Sequence, residues 1–402
     1  MRVCIEKSAL GTPLSLVIND DGSLEWSDNE SCDVCLFGPR DSHCVQMEDL
    51  ARMCGVSLEG LSVSSTPQSR AFSTLGVDPS SVPWFLALGR DQFRERIANI
   101  STSVCGVTQD PQISRYIPVY KQCRDFLRGL SRPRIDVQRL RQSVSECDSG
   151  LSVLKSIKSF TPGPDGLAPR IVYDQAGTAT GRLTVLEGPS ILTLPKSTRS
   201  VIRSSQGGGI FEVDFVSLEP RFVLHTMGKK APRDIYEDIR ASVFGGELTR
   251  KIVKTATISA LYGSSAQLMS DLTGLSHTAR SVTRRVREYF GADELGHRLS
   301  AETGSGILHN QYGRPLPGMR RGEKESLLIS YYVQSSCVDT VLLGFSHLSD
   351  RIKSLGAQPI YVIHDALLID VPDSSIDDFM EICAQGVDLE VGHFELGVNR
   401  IS

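Results

Sequence analysis

Near the middle of the chain an apolar run stops on a carboxylate, and a helix start follows almost at once: Gly209-Ile-Phe-Glu-Val-Asp-Phe-Val-Ser-Leu-Glu-Pro-Arg221. Ile210, Phe211, Val213 and Phe215 predict a strand. Ser217 suits an N-cap, and Pro220 is tolerated because it falls in a helix's first turn. Asp214 is thereby set at a strand end and Glu219 at a helix start, which is how a chain presents an acid to a metal. Magnesium prefers one or two carboxylates together with water and substrate phosphates, so a second acid is expected on a similar strand end. Ile360-Tyr-Val-Ile-His364-Asp365-Ala-Leu-Leu-Ile-Asp-Val371 supplies it, as two apolar strands joined by a tight His-Asp corner. Asp365 falls where neither sheet face would bury it. The bland alternative is two unrelated exposed aspartates.

The segment between them narrows the choice. Thr249-Arg250-Lys-Ile-Val-Lys254-Thr-Ala-Thr-Ile258-Ser-Ala-Leu-Tyr262-Gly263 has no proline, a terminal glycine, and Arg250, Lys254, Ile258 and Tyr262 at intervals of four. On a helix those side chains share one broad face. From Arg250 to Tyr262 the rise is ~18 Å at about 1.5 Å per residue, enough to span a nucleoside triphosphate. The cations lie at the helix N-terminus, where phosphates bind best, and the aromatic end would meet the base. A solvated helix with an incidental Arg/Lys pair is the competing reading.

With these residues in place the chain resembles a family A DNA polymerase. Asp214 to Arg221, DFVSLEPR, is similar to the family's first polymerase motif, DYSQIELR. The Arg250 helix resembles the second, RxxxKxxxFGxxYG, and His364-Asp365 the third, HDE, with Ala366 in place of the glutamate. Thr178-Ala-Thr-Gly-Arg182-Leu183 stands as the family's TATGRL and leads into Leu194-Pro195. Asp234-Ile-Tyr with Val243-Phe-Gly245 looks like the family's DIH and VFG, and Gly306 with Tyr312-Gly-Arg314 like the turn and GR pair that follow the fingers. The matches run in the family's order from about Leu151 to the C-terminus.

The resemblance implies an α+β right-hand polymerase fold: an antiparallel palm sheet, helical fingers and thumb, and a small N-terminal α/β or β-rich domain. It also implies template-directed extension of a primer 3′ end with dNTPs, on primer-template DNA, by two-metal phosphoryl transfer. Two magnesium ions, replaceable by manganese, would be held by Asp214, Asp365 and the backbone oxygen of Phe215. Lys254 would protonate the leaving pyrophosphate, and Arg250, Lys254, Ile258, Tyr262 and Glu219 would bind the nucleotide. Glu219 would also exclude a 2′-hydroxyl. Arg182, Gln334, His364 and Arg314 would contact primer-template. Beyond Ala366, further positions depart from the pattern. Ile258 replaces an aromatic residue, Ser259 a glycine and Pro220 an apolar residue. In Ser326-Leu-Leu-Ile-Ser330-Tyr-Tyr-Val-Gln334 only Gln334 survives of the family's Arg, Asn and Gln minor-groove set.

A chain of 402 residues has room for a polymerase core and one small extra domain. The expected order is 1–91 N-terminal domain, 92–165 thumb, 166–230 palm, 231–318 fingers and 319–402 palm. Net charge is −4, which suits a DNA binder only if the charge is segregated. Arg115, Lys121, Arg124, Arg128, Arg132, Arg134, Arg139, Arg141, Lys155 and Lys158 cluster in the expected thumb, where they would grip the duplex backbone. A solvated helical face is the alternative. No stretch reads as long and apolar enough to span a bilayer, so no membrane partner is expected.

The N-terminal piece is less informative. Leu14–Ile18 and Leu24–Trp26 around Asp20-Asp-Gly22 predict a hairpin, and Ser62–Thr74 reads as a Ser-rich connector. Asp20, Asp21 and Glu25 lack the spacing of a proofreading exonuclease, so none is expected. Cys32-Asp-Val-Cys35, His43-Cys44 and Cys54 hint at zinc, but buried free thiols are the preferred account. Ten cysteines without an export signal point to a reducing cytoplasm, and the resemblance implies a bacterial cytoplasm or nucleoid and replication or repair of a virus or plasmid genome. This piece is also the expected dock for a replication partner protein. Two other classes remain open: a single-subunit RNA polymerase or primase-like enzyme, which Glu219 argues against, and a non-catalytic primer-template binder. The last should have lost Asp214, Asp365 or Lys254.

Overall fold

The run that ends on Asp214 forms a strand, β1 (Gly209–Phe215), in the computed structural model, which describes residues 2–19, 21–27, 32–38, 43–56, 67–78, 82–108, 110–147, 150–274, 279–319 and 322–402. The chain divides into two units, Met1–Lys121 with Gln311–Gly318, and Gln122–Asn310 with Met319–Ser402. The first boundary therefore falls inside the helix Pro111–Arg128 rather than at Asp91. The reason is packing: the helix Arg90–Thr108 buries Ile97, Ile100, Val104 and Val107 and lies against the helix Met47–Met53.

The first unit holds a mixed five-stranded sheet in the order Leu24–Ser27, Ser15–Ile18, Val3–Ile5, Val34–Leu36, Val45–Gln46. The expected hairpin is present, with Ile18 opposite Leu24, although Asp20 in its turn lies outside the described residues. Val3–Ile5 pairs in parallel with Val34–Leu36, which sets Cys4 opposite Cys35. Cys4, Cys32, Cys35 and Cys44 share a buried cluster with Val17, and all are free thiols. The Ser-rich connector is in part a helix, Pro67–Thr74, and residues 62–66 lie outside the described residues.

In the second unit the helices that follow β1 include α1 (Leu218–Thr226), α2 (Ile235–Ser242), α3 (Arg250–Leu261) and the long α4 (Glu325–Ile352), with three more between α3 and α4 among the described residues. Then come β2 (Gln358–Ile363), β3 (Ala366–Val371), the helix α5 (Ile376–Ala384) and β4 (Leu396–Arg400). The sheet order is β2-β3-β1-β4, antiparallel throughout. An antiparallel sheet flanked by helices is the α+β arrangement expected for a palm.

Period-two alternation gives β1 two faces. Phe211 packs on Phe379 of α5, and Phe215 on Phe345 of α4 and on Phe394. The closeness of α4 is set by Gly344, where an added Cβ would lie 2.6 Å from the Phe215 ring. Ile210, Glu212 and Asp214 point the other way. By length and composition α4 is apolar enough to cross a membrane, contrary to the sequence expectation, but 72% of that stretch is buried inside the unit. It is a core helix on which the palm sheet rests.

On the polar face Asp370 of β3 is fully buried. It accepts hydrogen bonds from the Ser204 hydroxyl at 2.5 Å, the Ser205 amide at 2.7 Å and the Ser205 hydroxyl at 2.8 Å. Asp370→Ala should leave those donors unpaired in the interior and lower stability by about 2–3 kcal/mol, seen as a lower urea midpoint by circular dichroism. An unchanged midpoint would show that this network carries no stability.

Candidate active site

Antiparallel register brings the two candidate acids together. Asp214 pairs with Ala366, and the two-residue corner His364-Asp365 joins Ile363 to Ala366, so Asp365 stands beside the end of β1. His364 takes φ 57°, left-handed backbone that is uncommon for a residue with a side chain. Ser217 does the same at φ 53° just after β1. It occupies the N-cap position of α1 as expected, but its hydroxyl does not cap the helix; it lies close enough to the Tyr236 hydroxyl to perturb it. Strain at both corners is the cost of turning two acids toward one space.

That space is a cavity of about 650 Å³. Asp214, Phe215, Glu219 and Asp365 line it from the palm, and Arg250, Lys254 and Ile258 from α3. Arg182, Gln334 and His364 complete the set of expected residues on its wall. Arg182 arrives on the loop after the strand Val172–Asp174, a loop closed by the Thr178 hydroxyl donating to the Arg182 carbonyl at 3.0 Å. The helix α3 begins where predicted, capped by Thr249, whose hydroxyl accepts from the Ile252 amide.

The electrostatics are those of a site short of positive charge near its acids. Burial pushes the Asp214 carboxyl up, and the neighbouring Asp365 and Glu212 add to it. Glu219 is also raised, mainly by burial, while Tyr262 and Arg182 oppose the rise. The Tyr262 hydroxyl is buried without a hydrogen bond of ordinary length, yet it and Glu219 lie close enough to perturb one another. Tyr262 thus stands behind Glu219 rather than on the cavity wall.

Several contributors were not foreseen. Glu212, 5% exposed, is paired with Lys196 at 2.8 Å and with Arg199, which tempers its effect on Asp214. Gly397 of β4 faces Asp214 across the ladder, and a Cβ there would lie 2.6 Å from the carboxylate oxygen. A glycine inside a strand pattern was the available signal for such a close approach. Tyr236 of α2 lines the cavity under Arg250 and Lys254. Burial, then Glu219, push its phenol up to about 12.

Arg314 corrects the sequence reading. It lies in the other unit, 1% exposed, with Nη1 donating to the Tyr116 hydroxyl at 3.0 Å, so it cannot reach a nucleic acid. Part of the basic cluster is likewise engaged within the protein. Arg124 is buried beside Asp125, Arg132 holds Asp165 and the Ala168 carbonyl, and Arg139 pairs with Asp136. Arg134, Arg141, Lys155 and Lys158 stay exposed.

Among the described residues no group of three or more His, Cys, Asp or Glu is arranged to hold a metal. Two half-open carboxylates with the Phe215 backbone beside them nevertheless fit a hard divalent ion that keeps water and substrate oxygens as its other ligands. The mutual repulsion of Asp214 and Asp365 gives that fit a measurable consequence. In chelator, Asp214→Asn should melt about 1–3 °C higher than the wild type. Millimolar manganese should raise the melting point of the wild type and not that of the variant, by differential scanning fluorimetry. A variant that melts lower in chelator would mean that the two acids do not oppose each other.

No protein-family model matches the chain. It is 24% identical over 263 residues to the thermostable DNA polymerase I of Thermus filiformis, covering 57% of this chain and 32% of that one. It is 25% identical to DNA polymerase I of Deinococcus radiodurans (50% and 24% covered) and 26% identical to the DNA polymerase of Mycobacterium phage L5 (49% and 34%). The match thus spans about a third or less of these relatives' length. Among solved structures, the POL domain of Pol1 from M. smegmatis, in complex with DNA primer-template and dNTP, superposes with TM-score 0.61 at 14% identity. It covers 96% of this chain and 91% of that one.

Proposed function

From the homology of this chain to the polymerase region of family A DNA polymerase I, we propose that it is a template-directed DNA polymerase that extends a primer 3′ end with dNTPs. The observation that carries this reading is the convergence of Asp214 and Asp365 with Arg250 and Lys254 on one cavity. Opposite charges so arranged match a triphosphate whose reacting phosphorus must sit between acids and cations.

Asp214, Asp365 and the Phe215 backbone oxygen would hold magnesium, or manganese in its place, which supplies charge neutralisation at the attacking and leaving oxygens. Arg250 and Lys254 bind the β and γ phosphates at the N-terminal end of α3, and Lys254 gives a proton to the departing pyrophosphate. Ile258 packs beneath the incoming nucleotide. Glu219, backed by Tyr262, occupies the room a 2′-hydroxyl would need. Arg182, Gln334 and His364 face the primer-template from the cavity wall, and the exposed Arg134, Arg141, Lys155 and Lys158 hold the duplex backbone.

The reading extends to a setting. The likeness to a phage polymerase, together with a first segment lacking the spaced acids of a proofreading nuclease, supports a non-editing enzyme of virus or plasmid replication or repair. The sheet of the first unit would then serve to bind a replication partner.

Primer extension tests the chemistry. Asp214→Asn or Asp365→Asn should lower the extension rate by at least ~10³-fold, about 4 kcal/mol of barrier, with primer-template affinity nearly unchanged. Extension at near wild-type rate by either variant would remove the metal assignment.

Glu219→Ala tests the sugar gate. The preference for dNTP over rNTP, measured as a ratio of kcat/KM, should narrow by ~10²-fold, or about 3 kcal/mol. A wild type that uses rNTPs as readily as dNTPs would favour the RNA polymerase reading instead.

A further inference from the structure

Tyr236 joins the two halves of the site. It lies in the first turn of α2 and is 3% exposed, with one edge on the cavity. Arg250 Cζ is 5.4 Å and Lys254 Nζ 5.9 Å from its ring centroid. Its hydroxyl lies near Ser217, in the strained turn between Asp214 and Glu219, and both residues line the cavity. The residue two before it, Asp234, caps α2 by accepting from the Glu237 amide at 3.1 Å and holds Arg250 at 3.0 Å. The start of α2 thus grips both cations of α3 while lying near the turn that carries the acids.

The two grips differ in kind. A carboxylate neutralises the cation it holds, whereas an aromatic face attracts a cation through its quadrupole and leaves the charge available to an arriving anion. A contact of this kind is weak, enough to bias a long side chain and too little to compete with a triphosphate. Lys254 has no carboxylate partner among the described ion pairs, so the ring is what defines its position.

Resting on the polymerase reading, we propose that Tyr236 is a positioning residue: its ring holds Arg250 and Lys254 in register for a triphosphate. The ring is required for affinity toward the phosphates.

The test compares Tyr236→Phe with Tyr236→Leu, which keeps apolar bulk and removes the π face. Inorganic tripolyphosphate binding, by calorimetry without primer or divalent metal, reads the cation register independently of catalysis. Tyr236→Leu should weaken it by ~10-fold, and Tyr236→Phe should stay within ~2-fold of wild type. In primer extension, Tyr236→Leu should raise KM for dNTP more than it lowers kcat, and Tyr236→Phe should restore KM. Equal tripolyphosphate affinity in the Leu and Phe variants, or no binding by the wild type, would overturn the proposal. Tripolyphosphate binding that follows the expected order in a protein that extends no primer would support the register and remove the polymerase reading. If Tyr236→Leu does not fold, progressively fluorinated phenylalanines at the same position keep the shape and weaken the π face; affinity that is flat across that series would overturn the proposal.

Discussion

Two aspartates of like charge are forced into one cavity by the hydrogen-bond ladder between β1 and β3, and much else in the second unit accommodates that fact. The ladder sets Asp214 opposite Ala366, one residue from Asp365, and β4 closes the other side with Gly397 opposite Asp214. Any side chain at Gly397 would meet the carboxylate, so the acid lies flat against bare backbone. Burial and Asp365 both raise the Asp214 carboxyl. A site in that condition gains from any cation it can recruit.

The surrounding structure limits the repulsion without cancelling it. Glu212, on the same face of β1, is tied to Lys196 and Arg199, which offset part of its charge. Asp370, farther along the same face, is enclosed by serine donors. The acids near the cavity are thereby sorted: two are satisfied by the protein, and Asp214 and Asp365 are left for a ligand. On the facing wall α3 presents Arg250 and Lys254, held by Asp234 and the Tyr236 ring. The cavity thus carries acids from the palm and cations from α3.

Rigidity is supplied from beneath. Phe211 and Phe215 lock β1 onto α5 and α4, and the approach of α4 depends on Gly344 having no side chain. With the strand fixed on its apolar face, the strained Ser217 and His364 corners can hold their left-handed backbone. Both corners stand next to a residue that lines the cavity, which is where strain has a use.

Local chemistry in the sequence was enough to place β1, the β2–β3 hairpin and α3, because period-two and period-four patterns, a Thr cap and a two-residue corner act over a few residues. The order of those motifs also carried the α+β class and most of the cavity wall: Asp214, Glu219, Arg250, Lys254 and Asp365 all lie where their strand ends and helix face put them. Tertiary structure decided the rest. Arg314 read as an open cation and is buried on Tyr116; Ser217 read as a cap and lies beside Tyr236; the first unit ends at Lys121 and takes in Gln311–Gly318. Gly397 and Tyr236 acquire meaning from partners far away in the chain. A residue's own neighbours fix its backbone preference, but whether a polar side chain meets solvent, an acid or an aromatic face is set by which distant segment packs against it, and a single sequence does not encode that pairing in any short window.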